Sequence, residues 1–224
     1  MRIHLEEGAS PPPPPSDALR VHVLRGSPVA PRRPTHDAVT WTAAAAVLAA
    51  ACIATFGVRQ DLVESDVRWL VLGLAFALVS VGGAIAATLP RPGQVLPSIT
   101  RARWNAGGSV ALLALATAFL AHDGPGSIHH EGAAVAHGIV HCSSFALVMV
   151  APLVGLAWAL VIRRVPVSAP LVGAALGAAA GALSGAVLNT VCPIAGQVHA
   201  QGGHVGAVVL GALLGAASSL FNRR

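Results

Sequence analysis

From residue 38 to its end the chain consists of long apolar blocks separated by short joints. A helix that crosses a membrane needs about 20 mainly apolar residues. Six blocks are candidates, at about 38–58, 69–89, 105–121, 142–162, 169–191 and 203–221, and none contains an Asp, Glu or Arg. Residues 1–37 follow a different pattern. They are polar, carry Pro11 to Pro15 and then Pro28, Pro31 and Pro34, and hold too few apolar residues to bury a core. Only Leu19-Arg20-Val21-His22-Val23-Leu24 comes near to alternating apolar and polar residues, as an extended segment does. The pattern predicts an all-α polytopic membrane protein in two parts. Residues 1–37 form a disordered cytoplasmic tail, and residues 38–224 form a domain of six transmembrane helices.

Composition agrees with this division. Of 224 residues, 54% are apolar and only 10% charged, a balance that excludes an ordinary soluble globule. All 14 basic side chains are Arg, scattered between the blocks rather than gathered in a patch, so they report topology and not nucleic-acid binding. In the six-span arrangement twelve Arg fall on the side of the two termini and only Arg59 and Arg68 on the other. The positive-inside rule then places both termini in the cytoplasm of a bacterial inner membrane. Trp41, Trp69, Trp104 and Trp158 sit near predicted span ends, where an interfacial ring is comfortable. Cys52 reads as a small apolar residue inside the first span.

The fifth span repeats Gly at every fourth position, Gly173, Gly177, Gly181 and Gly185, which gives it a smooth face. Gly211 and Gly215 continue the theme in the sixth. These two helices are expected to approach closely, either against each other or against the second and fourth spans.

Chemistry is sparse. Spans without charge do not suit an ion pump, and no phosphate loop, nucleophile elbow, carboxylate pair or His-Glu-x-x-His motif is present. Seven of the ten His, namely His122, His129, His130, His137, His141, His199 and His204, fall in or beside the third and fifth loops. Cys142 opens the fourth span and Cys192 closes the fifth, on the same predicted face. Three readings stay open. His137, His141, His199 and His204, with the two Cys, have the ligand types of a zinc site. Cys142 and Cys192 are placed to pair as a disulfide or redox sensor. Alternatively, all are solvated loop residues. A haem would call for His deep within spans, and the predicted spans have none. No motif requires a cofactor; zinc is the ion that the ligand types suit. The oligomeric state is not set by any feature of the sequence.

A Pro/Arg-containing tail, six Ala/Gly/Leu-rich spans, His141-Cys142 at the head of the fourth, Arg163-Arg164 after it and Cys192-Pro193 before the last resemble the NrsF group of membrane anti-sigma factors. The resemblance implies no catalysis and no direct contact with nucleic acid. It implies a protein that holds an extracytoplasmic-function sigma factor at the membrane and releases it on an envelope, light or oxidative signal. The partner contact would then fall to the tail, with Leu19, Val21, Val23 and Leu24 docking and Arg20, Arg25, Arg32 and Arg33 supplying charge. Cys142 and Cys192 would be the sensing end.

Overall fold

The computed structural model describes residues 33–59, 67–90, 98–121, 133–164, 169–194 and 196–222. The tail residues Leu19, Arg20, Val21, Val23, Leu24, Arg25 and Arg32 lie outside these, as do His122, His129 and His130. Among the described residues there is no strand. The helices are α1 (Pro34–Phe56), α2 (Val67–Thr88), α3 (Ile99–Leu120), α4 (Ala133–Leu160), α5 (Ala169–Val191) and α6 (Gln197–Phe221).

Local chemistry sets several of these ends. Pro34 starts α1, where its fixed φ suits a first helical turn and its missing N–H costs nothing. Gly57 ends it at φ 78°, a left-handed conformation that glycine adopts without strain, and its N–H bonds the Ile53 carbonyl at 2.8 Å. Ser98 caps α3 by accepting from the Arg101 N–H.

Five helices are long and apolar enough to cross a membrane: α1, α2, α5, α6 and the stretch Val135–Arg164, which takes in α4 from its third residue. The sixth predicted span, α3, has the length at 22 residues, but its first turns carry Arg101, Arg103 and Asn105, which dilute its hydropathy. α5 starts at Ala169 as expected, while the other five helices begin before the predicted spans. The helices take in Asp37, Arg68, Arg101 and Arg103 in or near their first turns.

The packing is inverted relative to a water-soluble bundle. Val47, Leu74, Leu78, Leu112, Leu115, Phe119, Val148 and Leu213 are exposed, while much of the interior is Ala and Gly. Such a surface is costly in water and costs nothing in lipid, where apolar side chains gain little by facing one another and close backbone contact holds helices together. α5 is the central helix, buried along most of its length. Its glycine face meets α6 as the repeat predicts. A methyl group at Gly173 or Gly177 would overlap the Gly215 or Gly211 carbonyl, and one at Gly181 would overlap Ala207. Gly185, at the end of the row, lies under the Phe76 ring of α2.

Several polar groups inside the bundle are paired across or along helices, as an apolar surrounding favours, while Ser80 Oγ, Ser184 Oγ, Asn189 Oδ1 and nitrogens of His199 and His204 are buried without a hydrogen-bond partner. Trp41 Nε1 donates to the Leu153 carbonyl (3.2 Å), Asn105 Nδ2 to Gly83 (2.7 Å) and Asn189 Nδ2 to Trp69 (2.9 Å). Thr88, Thr117, Ser144 and Thr190 turn their hydroxyls back onto carbonyls one turn earlier. The expected ring of interfacial tryptophans is only partly present: Trp104 is exposed, but Trp41 and Trp69 are buried among neighbouring helices.

The contacts between helix ends show alternating crossings. Arg164 reaches Asp37 (3.9 Å), and Arg101 Nη1 donates to the Leu89 carbonyl (3.3 Å), which gathers the starts of α1 and α3 and the ends of α2 and α4. At the opposite end the Arg59 N–H donates to Thr190 (3.0 Å) and Gln197 Nε2 to Ala118 (3.1 Å). Arg59 also lies over the Trp69 ring, 5.5 Å from its centroid. Among the described residues, Arg33, Arg101, Arg103, Arg163 and Arg164 belong to the first end, and Arg59 and Arg68 to the second.

Candidate functional site

The second end of the bundle gathers both cysteines and two of the histidines. α4 begins at Ala133, nine residues before the predicted span, so Cys142 lies well inside a helix instead of opening one. Gly138, one turn earlier on the same face, leaves room for an imidazole: a methyl group there would stand 3.2 Å from His199 Nδ1. Cys192 follows the last turn of α5, anchored by its N–H to the Leu188 carbonyl (2.8 Å), and Pro193 stops the helix.

α6 supplies both imidazoles by an irregular route. It opens with Gln197–His199, passes through a π-helical segment, Ala200–Val205, and continues as Gly206–Ser218. In this segment the Gly206 N–H bonds the Gln201 carbonyl five residues back. On a regular α-helix His199 and His204 would point about 140° apart. The wider π turn brings residues five apart onto one face, and the two rings meet edge to face with centroids 5.7 Å apart. Gly203 lets α4 approach, since a methyl group there would stand 3.2 Å from the Cys142 Cβ.

The four side chains form one buried group, with a ligand atom from each within 4.8 Å of the others. Cys142 Sγ lies 3.6 Å from Cys192 Sγ, and each sulfur lies 3.4 Å from His199 Nε2. Both cysteines are free thiols. Cys192, beyond the end of α5, is held below the ordinary thiol range. The cause is chiefly its hydrogen bond with Cys142, with His199 and His204 adding to it against the opposing effect of burial. His199 Nδ1 and both ring nitrogens of His204 are buried with no hydrogen-bond partner.

Two residues of the expected ligand set stay outside this group. His137 and His141 are exposed on α4. They are five residues and one residue from Cys142, or about 140° and 100° around the helix, so turning Cys142 inward points both elsewhere. Four His that were expected in or beside loops (His137, His141, His199 and His204) are thus helical, which removes the argument that helices here lack histidine. Arg33, the one described residue of the expected partner contact, is exposed just before α1. Cys52 is half-buried within α1 and distinct from the cluster. The glycine pair Gly202-Gly203, ahead of His204 in an apolar run, is the sequence signal that marks the irregular turn.

The fold and the site together define a small bundle of apolar, membrane-length helices with a buried thiol–imidazole cluster at one end. Residues 25–221 match the family model of NrsF, described as negative regulator of sigma F, and the chain belongs to that family. No curated protein and no solved structure matches it.

Proposed function

We propose that this protein is an integral inner-membrane anti-sigma factor. It holds an extracytoplasmic-function sigma factor at the cytoplasmic face and releases it on an envelope, light or oxidative signal. The family match over nearly the whole chain carries the reading. The apolar helices support its place in a membrane. The gathering of Arg33, Arg101, Arg103, Arg163 and Arg164 at one end supports cytoplasmic termini by the positive-inside rule. Within the family, the chain resembles CarR, the membrane anti-sigma factor of light-induced carotenoid synthesis in myxobacteria. Light-generated singlet oxygen is the signal that this placement implies. Cys142 and Cys192 are the sensing pair in this reading, which has no catalytic step and no direct contact with nucleic acid.

The docking element is the N-terminal segment, with Leu19, Arg20, Val21, Val23, Leu24, Arg25, Arg32 and Arg33 in contact with the partner. Ordering an extended peptide costs on the order of 2–5 kcal/mol, so a modest change in its presentation is enough to release what it holds. The family match starts at residue 25, which makes two deletions informative. In detergent-extracted membranes, full-length protein is expected to retain a sigma factor. Removal of residues 1–24 weakens retention, and removal of residues 1–32 abolishes it. Retention by the shorter chain would move the contact to the cytoplasmic loops, and absence of any sigma factor with the full-length chain would overturn the reading. The thiol–imidazole cluster favours one rival, a metal- or haem-binding redox protein, and a Soret band in the purified protein would decide for it.

A further inference from the structure

We infer that Cys142, Cys192, His199 and His204 form a zinc site that fastens α4, the end of α5 and the π turn of α6 to one another. Three observations carry this independently of the anti-sigma reading. The first is spacing. With Zn–S at about 2.3 Å and Zn–N at about 2.05 Å, a tetrahedral ion sets sulfurs about 3.8 Å apart and sulfur to nitrogen about 3.6 Å apart. The sulfurs stand 3.6 Å apart and each lies 3.4 Å from His199 Nε2, within about 0.2 Å of those edges. The second is the state of the imidazoles. His204 is 1% exposed, and neither ring nitrogen has a partner, nor does His199 Nδ1. A buried polar atom left unsatisfied costs about 1–3 kcal/mol. A disulfide would use both sulfurs and leave all three nitrogens as they are, whereas a cation held by both sulfurs, His199 Nε2 and one nitrogen of His204 gives that otherwise unpartnered His204 nitrogen a bond. The third is the backbone. The π turn is what carries His204 onto the face of His199, and Gly138 and Gly203 clear the space for the imidazole and for Cys142.

Two thiolates and two imidazoles in a closed tetrahedral set suit zinc over magnesium or calcium, which prefer oxygen ligands. Binding takes both sulfurs as thiolates, forms two Zn–S and two Zn–N bonds, and releases to solvent the S–H protons that the pair carries, with no change of oxidation state. With all four positions filled by protein, the ion is structural.

The full-length protein, purified in detergent under reducing conditions without chelator, is expected to carry one zinc per chain by elemental mass spectrometry. Cobalt(II) substitution should give the intense visible bands of a tetrahedral thiolate site. His204→Ala and Cys192→Ser should reduce bound zinc to background, while His137→Ala and His141→Ala, which alter exposed histidines on the same helix, leave it unchanged. Because a ligand variant can fail to fold, wild-type protein stripped with chelator and titrated with zinc supplies a second measure, and recovery of the cobalt spectrum supports the site. No zinc uptake by stripped wild-type protein, equal zinc in the His204→Ala variant, or a quantitative Cys142–Cys192 disulfide with no metal would each overturn it.

Discussion

The contact between α5 and α6 has no room for a single methyl group, and that makes Gly177→Ala a sharp test of the packing. The added Cβ would stand 2.7 Å from the Gly211 carbonyl carbon and nearer still to its oxygen, with the Gly215 Cα at 3.1 Å. All of these are backbone atoms of a facing helix, so no side chain can swing aside. Carbon atoms in contact prefer about 3.5–4.0 Å, and the two helices would have to separate by about 1 Å. A gap of that size forfeits roughly a quarter to a half of the attraction of each contact on the ridge. Overpacking of this kind costs about 1–3 kcal/mol. The control is Gly155→Ala in α4, where an added Cβ meets nothing within 4 Å. There the better helix propensity of alanine should stabilise by about 0.5–1 kcal/mol. Unfolding in mixed micelles by SDS titration, followed by tryptophan fluorescence, measures both, with the buried Trp41 and Trp69 as reporters. If Gly177→Ala unfolds no earlier than Gly155→Ala, close backbone contact is not what holds these helices, and the account of the bundle fails.

Other expectations rest on separate features. Trp41→Phe keeps an aromatic ring but loses the donor to the Leu153 carbonyl, and the unfolding midpoint should fall by about 1 kcal/mol equivalent; an unchanged midpoint would show that the bond contributes nothing. α1, whose apolar window is 11% buried against the other helices, should separate from the bundle at lower SDS than α5, where the figure is 78%; release of both at the same SDS would contradict the arrangement. Replacing Cys142 and Cys192 together with Ser should blunt the response of the regulated genes to oxidants, and a full response would reduce both to packing. Removing the Asn105–Gly83 bond with Asn105→Leu should cost about 0.6–1.7 kcal/mol in the same SDS titration, seen as easier separation of α2 from α3, and an unchanged midpoint would show that the bond contributes nothing.

Much of this molecule is legible before any coordinates, for identifiable reasons. Apolar length finds helices, and the run of Gly173, Gly177, Gly181 and Gly185 announces a smooth ridge because a four-residue step nearly closes a helical turn. The His/Cys face could be seen because loop order alone assigns residues to one end of a bundle. What escaped is geometry finer than a span. Histidine in an otherwise apolar stretch reads as loop, so the starts of α4 and α6 were placed nine and six residues late. His137 and His141 have the ligand type, but on a helix their five- and one-residue offsets from Cys142 turn both away from it. His199 and His204 are five residues apart, a spacing that a regular helix would spread over different faces, and only the π turn reconciles them.

That turn also sets the phase of everything after it. Winding it as regular helix without shortening it would rotate the downstream segment by about 100° relative to His199. The imidazole of His204 and the notches at Gly211 and Gly215 would then no longer match both Cys192 and the groove of α5 together. The extra residue and the wide turn cancel like a leap day in a calendar, so a single-codon deletion there would leave the two imidazoles four apart on one face of a regular helix, whereas any change that tightens the turn at its present length would cost the chain its cluster or its central helix contact.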